Sequence, residues 1–287
     1  MKKAAVINDL SGFGKCSLTA AIPVLSALGV QCCPVATAVL TGQTGYPCYH
    51  CTDLTSMLPD YTDAWMKNQA HFDAIYSGFL TGPKQIAQVL DFIDHFRKED
   101  TLLLVDPVMG DDGNAYPFFT PELLNGMKAL TQEADVITPN LTEACLLADI
   151  PEDALTRCQT NTDLLKLAED VALQLQNKAS RQQDVVITGV KCREGKQPVI
   201  YNIAATADGI YRHEAPFFDR SFSGTGDLFA SVLCGCRTKG MCTEDAIKLA
   251  GKFLSHSIAD TMKEDTPGRD GVNFEKFLLD LILPAQA

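Results

Sequence analysis

Three short stretches of this 287-residue chain combine glycine, hydroxyl and carboxylate residues at spacings suited to handling phosphate. The first is Ser223-Gly224-Thr225-Gly226-Asp227-Leu228-Phe229. Its glycines permit a tight turn and a close backbone approach to a ligand. A helix expected to run roughly from Asp227 to Cys236 would present free N–H groups and the positive end of its dipole. Asp227 then has two readings. It caps the helix, or it takes the proton from an attacking hydroxyl. In the second reading the amides of Gly224, Thr225 and Gly226 stabilise charge on a transferring phosphoryl group. Phosphoryl transfer needs little beyond such positioning and electrostatics.

The second stretch, Asp106-Pro107-Val108-Met109-Gly110-Asp111-Asp112-Gly113, follows an apolar run and holds three carboxylates. It reads as a solvated acidic turn, or as a place for magnesium held through water beside nucleotide phosphates. Its Gly and Asp content also permits a mobile lid over Gly110 to Tyr116. The third is Thr138-Pro139-Asn140-Leu141-Thr142-Glu143. Asn140 is expected to cap a helix reaching Ala148, with Glu143 as its capping-box partner. Alternatively, Asn140 and Glu143 also face metal and phosphate.

These stretches need elements to position them. Ala4 to Ile7, Val30 to Ala38, Ala74 to Tyr76, Leu102 to Val105, Asp135 to Thr138 and Asp184 to Thr188 read as strands. Leu18, Ala21, Ile22, Leu25 and Leu28 recur at helical spacing, as do Ile86, Val89, Leu90 and Ile93. Continuous apolar strands between amphipathic helices predict a three-layer α/β fold, its mostly parallel central sheet covered by helices on both faces. Right-handed crossovers bring the strands' C-terminal ends to one edge. Asp9, Asp106, Thr138 and Thr188 close strands there, where ligands of open α/β sheets bind. Beyond Thr188 the pattern changes to a hairpin, Pro198 to Ala205 and Gly209 to His213, then helices from Gly224 and Thr243. With no repeat and no long linker, residues 1–287 read as a single domain.

The formal charge of −12 argues against nucleic acid or anionic lipid as partners. Met1 to Leu10 reads as a strand, not a signal peptide. No apolar run approaches the roughly 18 residues that suggest a membrane span. Eleven scattered cysteines, an odd number, fit reduced and mostly buried thiols in a cytoplasmic protein. Cys48 and Cys51 have CxxC spacing, but no second pair completes a zinc site. Cys234 and Cys236 read as inert core thiols. The five histidines form no motif, and Lys191 and Lys196 either touch phosphate or are solvated.

The three stretches, in this order and at these separations, resemble the ribokinase superfamily. The run Asp106 to Asp111 is typical of its pyridoxal/pyridoxamine kinase branch. Thr41-Gly42-Gln43-Thr44-Gly45-Tyr46 resembles that branch's substrate loop. Tyr76-Ser77-Gly78-Phe79-Leu80 resembles its segment carrying an aromatic over the substrate ring. The resemblance implies γ-phosphate transfer from ATP to the hydroxymethyl group of a pyridine-type vitamin. It also implies magnesium, often a monovalent cation such as K+, and a homodimer. By position, Asp227 would be the base and Gly224, Thr225 and Gly226 the anion hole. Asp106, Asp111, Thr138, Asn140, Glu143 and Thr188 would serve the nucleotide, with Asp106 and Glu143 at its metal. Asp9, Thr44, Tyr46, Phe79 and Asp227 would contact the vitamin.

Two positions depart from the family pattern. Asp9 stands where a serine is usual. It either sits in a turn with Ser11 and Gly12, or pairs with a protonated pyridine nitrogen or the amine of pyridoxamine. Gln43 stands where a histidine is usual. Competing readings are a hydroxymethylpyrimidine kinase of the same fold and a non-catalytic vitamin- or nucleotide-binding protein. The pyrimidine branch usually has cysteine in place of Asp227, and an intact Asp227 argues against loss of catalysis. A sugar kinase fits less well, since the form of the run from Asp106 to Asp111 is foreign to that branch.

Overall fold

Alternate residues of the apolar strands enter two separate cores. Ala5 and Ile7, Leu103 and Val105, and Val185 and Ile187 face one layer of helices. Ala4 and Val6, Leu104, and Val186 face the other. Burial on both faces is why these strands read as continuous apolar runs. The computed structural model describes residues 1–111, 113–116, 119–151, 153–193 and 198–282. Asp112 and Lys196 lie outside the described residues.

The chain begins with β1 (Lys3–Ser11), α1 (Ser17–Ala27), β2 (Gln31–Leu40), β3 (Cys51–Asp53), α2 (Leu58–Lys67), β4 (Ala74–Ser77) and α3 (Pro83–Phe96). Then come β5 (Leu102–Val105), β6 (Gly110–Asp111), β7 (Asn114–Ala115), α4 (Pro121–Gln132), β8 (Val136–Ile137), α5 (Leu141–Ala148), α6 (Ala154–Arg157) and α7 (Asn161–Lys178). The last part holds β9 (Asp184–Cys192), β10 (Val199–Thr206), β11 (Gly209–Pro216), α8 (Thr225–Thr238) and α9 (Thr243–Thr261). Two 3-10 segments follow, Gly268–Asp270 and Phe274–Leu281.

Nine strands form one sheet in the order β11-β10-β9-β8-β5-β4-β1-β2-β3. The inner strands β2, β1, β4, β5, β8 and β9 are parallel, while β3 and β10 pair antiparallel at the flanks. The expected α/β fold is therefore present. Helices α2, α3, α4, α5 and α7 cover one face, and α1, α8 and α9 the other. β1 has β2 on one side and β4 on the other, so the strand order reverses there. That reversal opens a crevice at the C-terminal ends of β1 and β4.

Three local features differ from the sequence reading. β9 does not stop at Gly189 but passes through it, at φ +73°, and continues to Cys192. α8 begins at Thr225, before Asp227. The pairing of β1 with β2 shifts between Asn8 and Leu10, where Thr37 and Ala38 of β2 stand opposite the single residue Asp9. This bulge frees Thr37, whose hydroxyl donates to Phe79 O (3.0 Å) and whose carbonyl accepts from Gln85 Nε2 (2.7 Å).

All eleven cysteines are free. The expectation that most are buried holds for five of them, whereas Cys48, Cys51 and Cys242 are exposed on loops and an edge strand. Burial pushes the Cys234 and Cys236 thiols up to about 12, which keeps them neutral in the core. Among the described residues no helix is long and apolar enough to cross a membrane.

Leu104 lies in the middle of the sheet, fully buried. Leu104→Ala should lower unfolding free energy by about 2–5 kcal/mol in urea titration, the range for a cavity left in a packed core. A loss under about 1 kcal/mol would mean the surrounding layer collapses onto the void.

Candidate active site

The crevice is built first from β1. Asn8, fully buried at the end of its apolar run, donates from Nδ2 to Asp227 Oδ1 (3.1 Å). Its Oδ1 accepts from the backbone N–H of Phe79 (3.0 Å) and of Asp9 (2.9 Å). Gly78 is needed for this. A Cβ there would stand 2.4 Å from Asn8 Nδ2. Asn8 thus ties the ends of β1 and β4 to the start of α8.

Asp227 sits in the first turn of α8, half-buried. The Ser17 N–H also donates to its carboxylate. Ser17 is held at φ +51°, an unusual conformation for a residue with a side chain. Its hydroxyl serves Asp9, which also accepts from Ser11 Oγ (2.8 Å). Burial raises the Asp227 pKa to about 6, with Asp9 adding to the rise. Before Asp227, Gly224 adopts φ +80°, and a Cβ on it would lie 1.9 Å from Lys15 O. Only glycine fits between this turn and the β1–α1 loop, which leaves the first amides of α8 at the crevice.

Asp106 ends β5, buried, and accepts from Thr138 Oγ1 (3.0 Å). Burial, then the nearby Asp227 charge, raises its pKa to about 7. Glu143 is buried next along the edge, and its pKa is raised far above the ordinary range by burial and by Asp106. Its oxygens accept from Met109 N (3.0 Å) and Asn140 N (2.9 Å), while Asn140 Oδ1 accepts from Glu143 N (3.0 Å). The expected capping box is present. Asn140 Nδ2 also donates to Gly110 O (2.7 Å), and Gly113 N to Thr142 Oγ1 (2.8 Å). The second and third sequence stretches are thus bound to each other, with the β6–β7 hairpin docked on α5. Thr188 joins Asn140 through a β-bridge, and Asp111 is exposed on the hairpin.

No set of three or more His, Cys, Asp or Glu side chains able to grip an ion occurs among the described residues. Asp106 and Glu143 are nonetheless buried beside each other, and Asp106 lies near Asp227, with a hydroxyl bonded to Asp106 and backbone N–H groups to Glu143. Magnesium keeps several waters and takes one or two carboxylates beside substrate phosphates, so these residues fit it.

On the opposite side, Thr44 is exposed and Tyr46 half-buried. Tyr46 packs on Phe13 (ring centroids 5.1 Å) and donates to Asp270 Oδ1 (2.6 Å). Burial and Asp270 push its phenol up to about 12. Phe79 is anchored through its backbone to both Asn8 and Thr37. Val199, Glu214, Pro216, Phe217 and Phe218 line an open groove of about 480 Å³ where β10 begins and β11 ends.

The structure therefore brings Asp9, Asp106, Thr138 and Glu143 to one edge, where Asn8 holds both Asp227 and the backbone of Phe79, while Tyr46 is tied to Asp270 and Thr44 is exposed on the same loop as Tyr46. Asp9 accepts from Ser11 of the expected turn and, beyond that expectation, from Ser17. Sequence reasoning missed Asn8, Ser17 and the segment near Asp270. Asn8 carried a usable signal, since a buried amide closing an apolar strand needs a partner. Ser17 and Asp270 carried none, because Asp227 and Tyr46, which they hold, lie more than two hundred residues away in sequence.

The model of the phosphomethylpyrimidine kinase family matches residues 14–269. A solved structure from Bacteroides thetaiotaomicron, a provisionally assigned phosphomethylpyrimidine kinase crystallised with pyridoxal, is 38% identical. It superposes with a TM-score of 0.89, covering 100% of this chain and 97% of that one. The pyridoxal kinase structure from Lactobacillus plantarum is 29% identical, with a TM-score of 0.86 and coverage of 98% and 97%. A pyridoxal kinase of Rubrobacter xylanophilus is 25% identical over 92% of this chain and 90% of its own length. A provisionally assigned pyridoxal kinase of Schizosaccharomyces pombe is 28% identical, but the match spans 56% of this chain and 45% of that protein. On the extent of the family match and of the likeness to its Bacteroides relative, this chain belongs to the phosphomethylpyrimidine kinase family of the ribokinase-like superfamily.

Proposed function

We propose that this chain, acting as one kinase domain, transfers the γ-phosphate of ATP to the hydroxymethyl oxygen of pyridoxal, pyridoxamine or pyridoxine. One observation carries the reading. Asp227 is held by Asn8 and Ser17 at the mouth of α8, with a pKa near 6 and glycine-flanked amides beside it. A general base works best when its pKa lies near the operating pH. The Bacteroides relative crystallised with pyridoxal supports the choice of acceptor.

In this mechanism Asp227 accepts the proton of the hydroxymethyl group. The freed oxygen forms its bond to the γ-phosphorus as the bond from that phosphorus to the bridging oxygen of ADP breaks. The N–H groups of Gly224, Thr225 and Gly226 meet the charge that develops on the phosphoryl oxygens. Asn8 keeps Asp227 turned toward the acceptor. The family implies ATP and a divalent ion. Asp106 and Glu143 would hold Mg2+, whose charge would neutralise the donor phosphates. Thr138 orients Asp106, and Asp111, Asn140 and Thr188 stand on the same nucleotide side. The groove beside Val199 and Phe217 suits the flat apolar base.

Thr44, Tyr46 and Phe79 would line the vitamin pocket. Asp9, a buried carboxylate bonded to hydroxyls, would favour a protonated pyridine nitrogen or the amine of pyridoxamine. K+ as an auxiliary ion, a homodimer and a cytoplasmic setting belong to the same reading. Free thiols suit a reducing compartment, and exposed Val39, Tyr49 and Met57 near the sheet edge offer a contact surface. A hydroxymethylpyrimidine acceptor is the second reading, favoured by the name of the matched family. Steady-state kinetics on the three vitamers and hydroxymethylpyrimidine decide between them.

Asp227→Ala should cut kcat by about two to four orders of magnitude, the range for a lost general base. A near-normal rate in that variant removes Asp227 from the role. In the wild type the carboxylate must be charged, so kcat/KM should fall as pH drops through about 6.

Asp106 obeys the opposite logic for stability. Its folded pKa is raised to about 7, so folding is favoured with the proton on, and that contribution is lost as pH rises from about 4 to about 7. Metal-free Asp106→Asn should therefore melt above the wild type at pH 8 and not at pH 4. Equal melting temperatures at pH 8 would count against the burial argument.

For Asp9, the measurement is the ratio of kcat/KM for pyridoxamine to that for pyridoxal. Asp9→Ser should lower it, and an unchanged ratio eliminates the charge-pairing role.

A further inference from the structure

The 3-10 turn Gly268–Asp270 touches both the loop after β2 and the turn before α8, although none of its residues stands in the phosphate-handling motifs. Ser223, beside the anion-hole glycines, donates its N–H to Gly268 O (2.9 Å). Arg269 O accepts from Gln43 Nε2 (2.8 Å), and Asp270 Oδ1 accepts from the Tyr46 hydroxyl (2.6 Å). The Arg269 guanidinium lies 5.5 Å from the centroid of the Tyr46 ring. A Cβ on Gly268 would come within 2.4 Å of Ser221 O.

Gln43 is the joint of this arrangement. It is buried, and its amide is fully used. Nε2 also reaches Ser223 Oγ (3.3 Å), while Oε1 accepts from Gly45 N (2.7 Å). Glycines make room for it on two sides. A Cβ at Gly14 would meet Gln43 Cγ at 2.7 Å, and one at Gly45 would meet Nε2 at 2.8 Å. Such an enclosed, satisfied side chain is not free to read a substrate ring. It sets the distance between two pieces of backbone.

We propose that Gln43 and Asp270 are positioning residues, which clasp the acceptor-side loop to the anion-hole turn through residues 268–271 and so fix the acceptor hydroxyl relative to the phosphoryl group. This rests on the kinase reading above. Tyr46 and Thr44 sit on one side of the clasp, Ser223 and Gly224 on the other. In-line transfer depends on that separation, and a displacement near 1 Å costs on the order of 100-fold in rate. Gln43 and Asp270 act through the loops they hold and touch neither reacting oxygen nor phosphorus.

The test uses the full chain with Gln43→Glu and Asp270→Asn. Gln43→Glu keeps an acceptor for Gly45 N–H but loses the donor to Arg269 O. Asp270→Asn weakens the Tyr46 bond from the other side. Two readouts are taken. Hydrogen exchange of residues 41–50 should speed up in both variants, including Asp270→Asn, where the change lies more than two hundred residues away in sequence. In turnover with pyridoxal, kcat should fall by up to about 100-fold while KM for ATP holds, and the double variant should be no worse than the poorer single one. Unchanged exchange in both variants overturns the clasp. So does a kcat like that of the wild type, or a loss that multiplies in the double variant. If the wild type phosphorylates no vitamer, the kinase reading fails separately, and the exchange measurement still decides whether the two loops are joined.

Discussion

Carboxylates gathered at one sheet edge repel each other, and the rest of the site is arranged around that repulsion. Glu143, Asp106 and Asp227 lie near this edge, Asp227 raising the proton affinity of Asp106 and Asp106 that of Glu143. Desolvated anions are tolerated only where donors or cations meet them. The chain supplies donors: Asn8 and Ser17 for Asp227, Thr138 for Asp106, and backbone N–H groups for Glu143. None of these brings positive charge. In the proposed reading, a divalent ion of the kind the family implies would complete the balance together with the helix terminus of α8.

The same arrangement explains why an acidic protein can handle polyanions at all. With a formal charge of −12, long-range attraction of ATP is absent. Binding must rely on fields that act within a few ångströms. In the proposed reading the Gly224 turn does this with geometry alone, its left-handed backbone occupying a place where a side chain would strike Lys15. Interlocking of the Asp106–Gly113 and Thr138–Glu143 stretches is a second economy. Residues that could each be read as a capping device or as ligands act as caps, and the capping places Asp106 and the hairpin where a metal would need them.

Much of this was legible in the sequence, for identifiable reasons. Apolar runs ending at Asp106 and Thr138 exposed the sheet edge because buried parallel strands carry no polar residue until they leave the core. Asn140 and Glu143 were legible because capping boxes are local. The glycines around Asp227 were legible because their spacing is a backbone property. What escaped was long-range polar pairing. Asn8 meets Asp227 across 219 residues, and Gln43 meets Arg269 across 226. No periodicity encodes such partners, and only the closed sheet brings them together. Asp9 illustrates the boundary well. Its turn with Ser11 could be read locally, while Ser17 reaches it only because α1 begins in a left-handed conformation. Cysteine burial was overestimated because an average tendency says nothing about the loop carrying Cys48 or the edge strand carrying Cys51.

The bulge in β2 has a mechanical consequence. Parallel strands rich in small and branched residues can slide past one another by a step, and each step reverses which side chains face which layer. Here a slip of β2 would carry Thr37 away from the ends of β1 and β4. The extra residue makes that error expensive. To slide, β2 would have to surrender the grip of Thr37 on Phe79 and on Gln85 together. An irregularity that looks like a defect in the ladder thus acts as a ratchet stop, keeping the catalytic edge in phase while the chain folds.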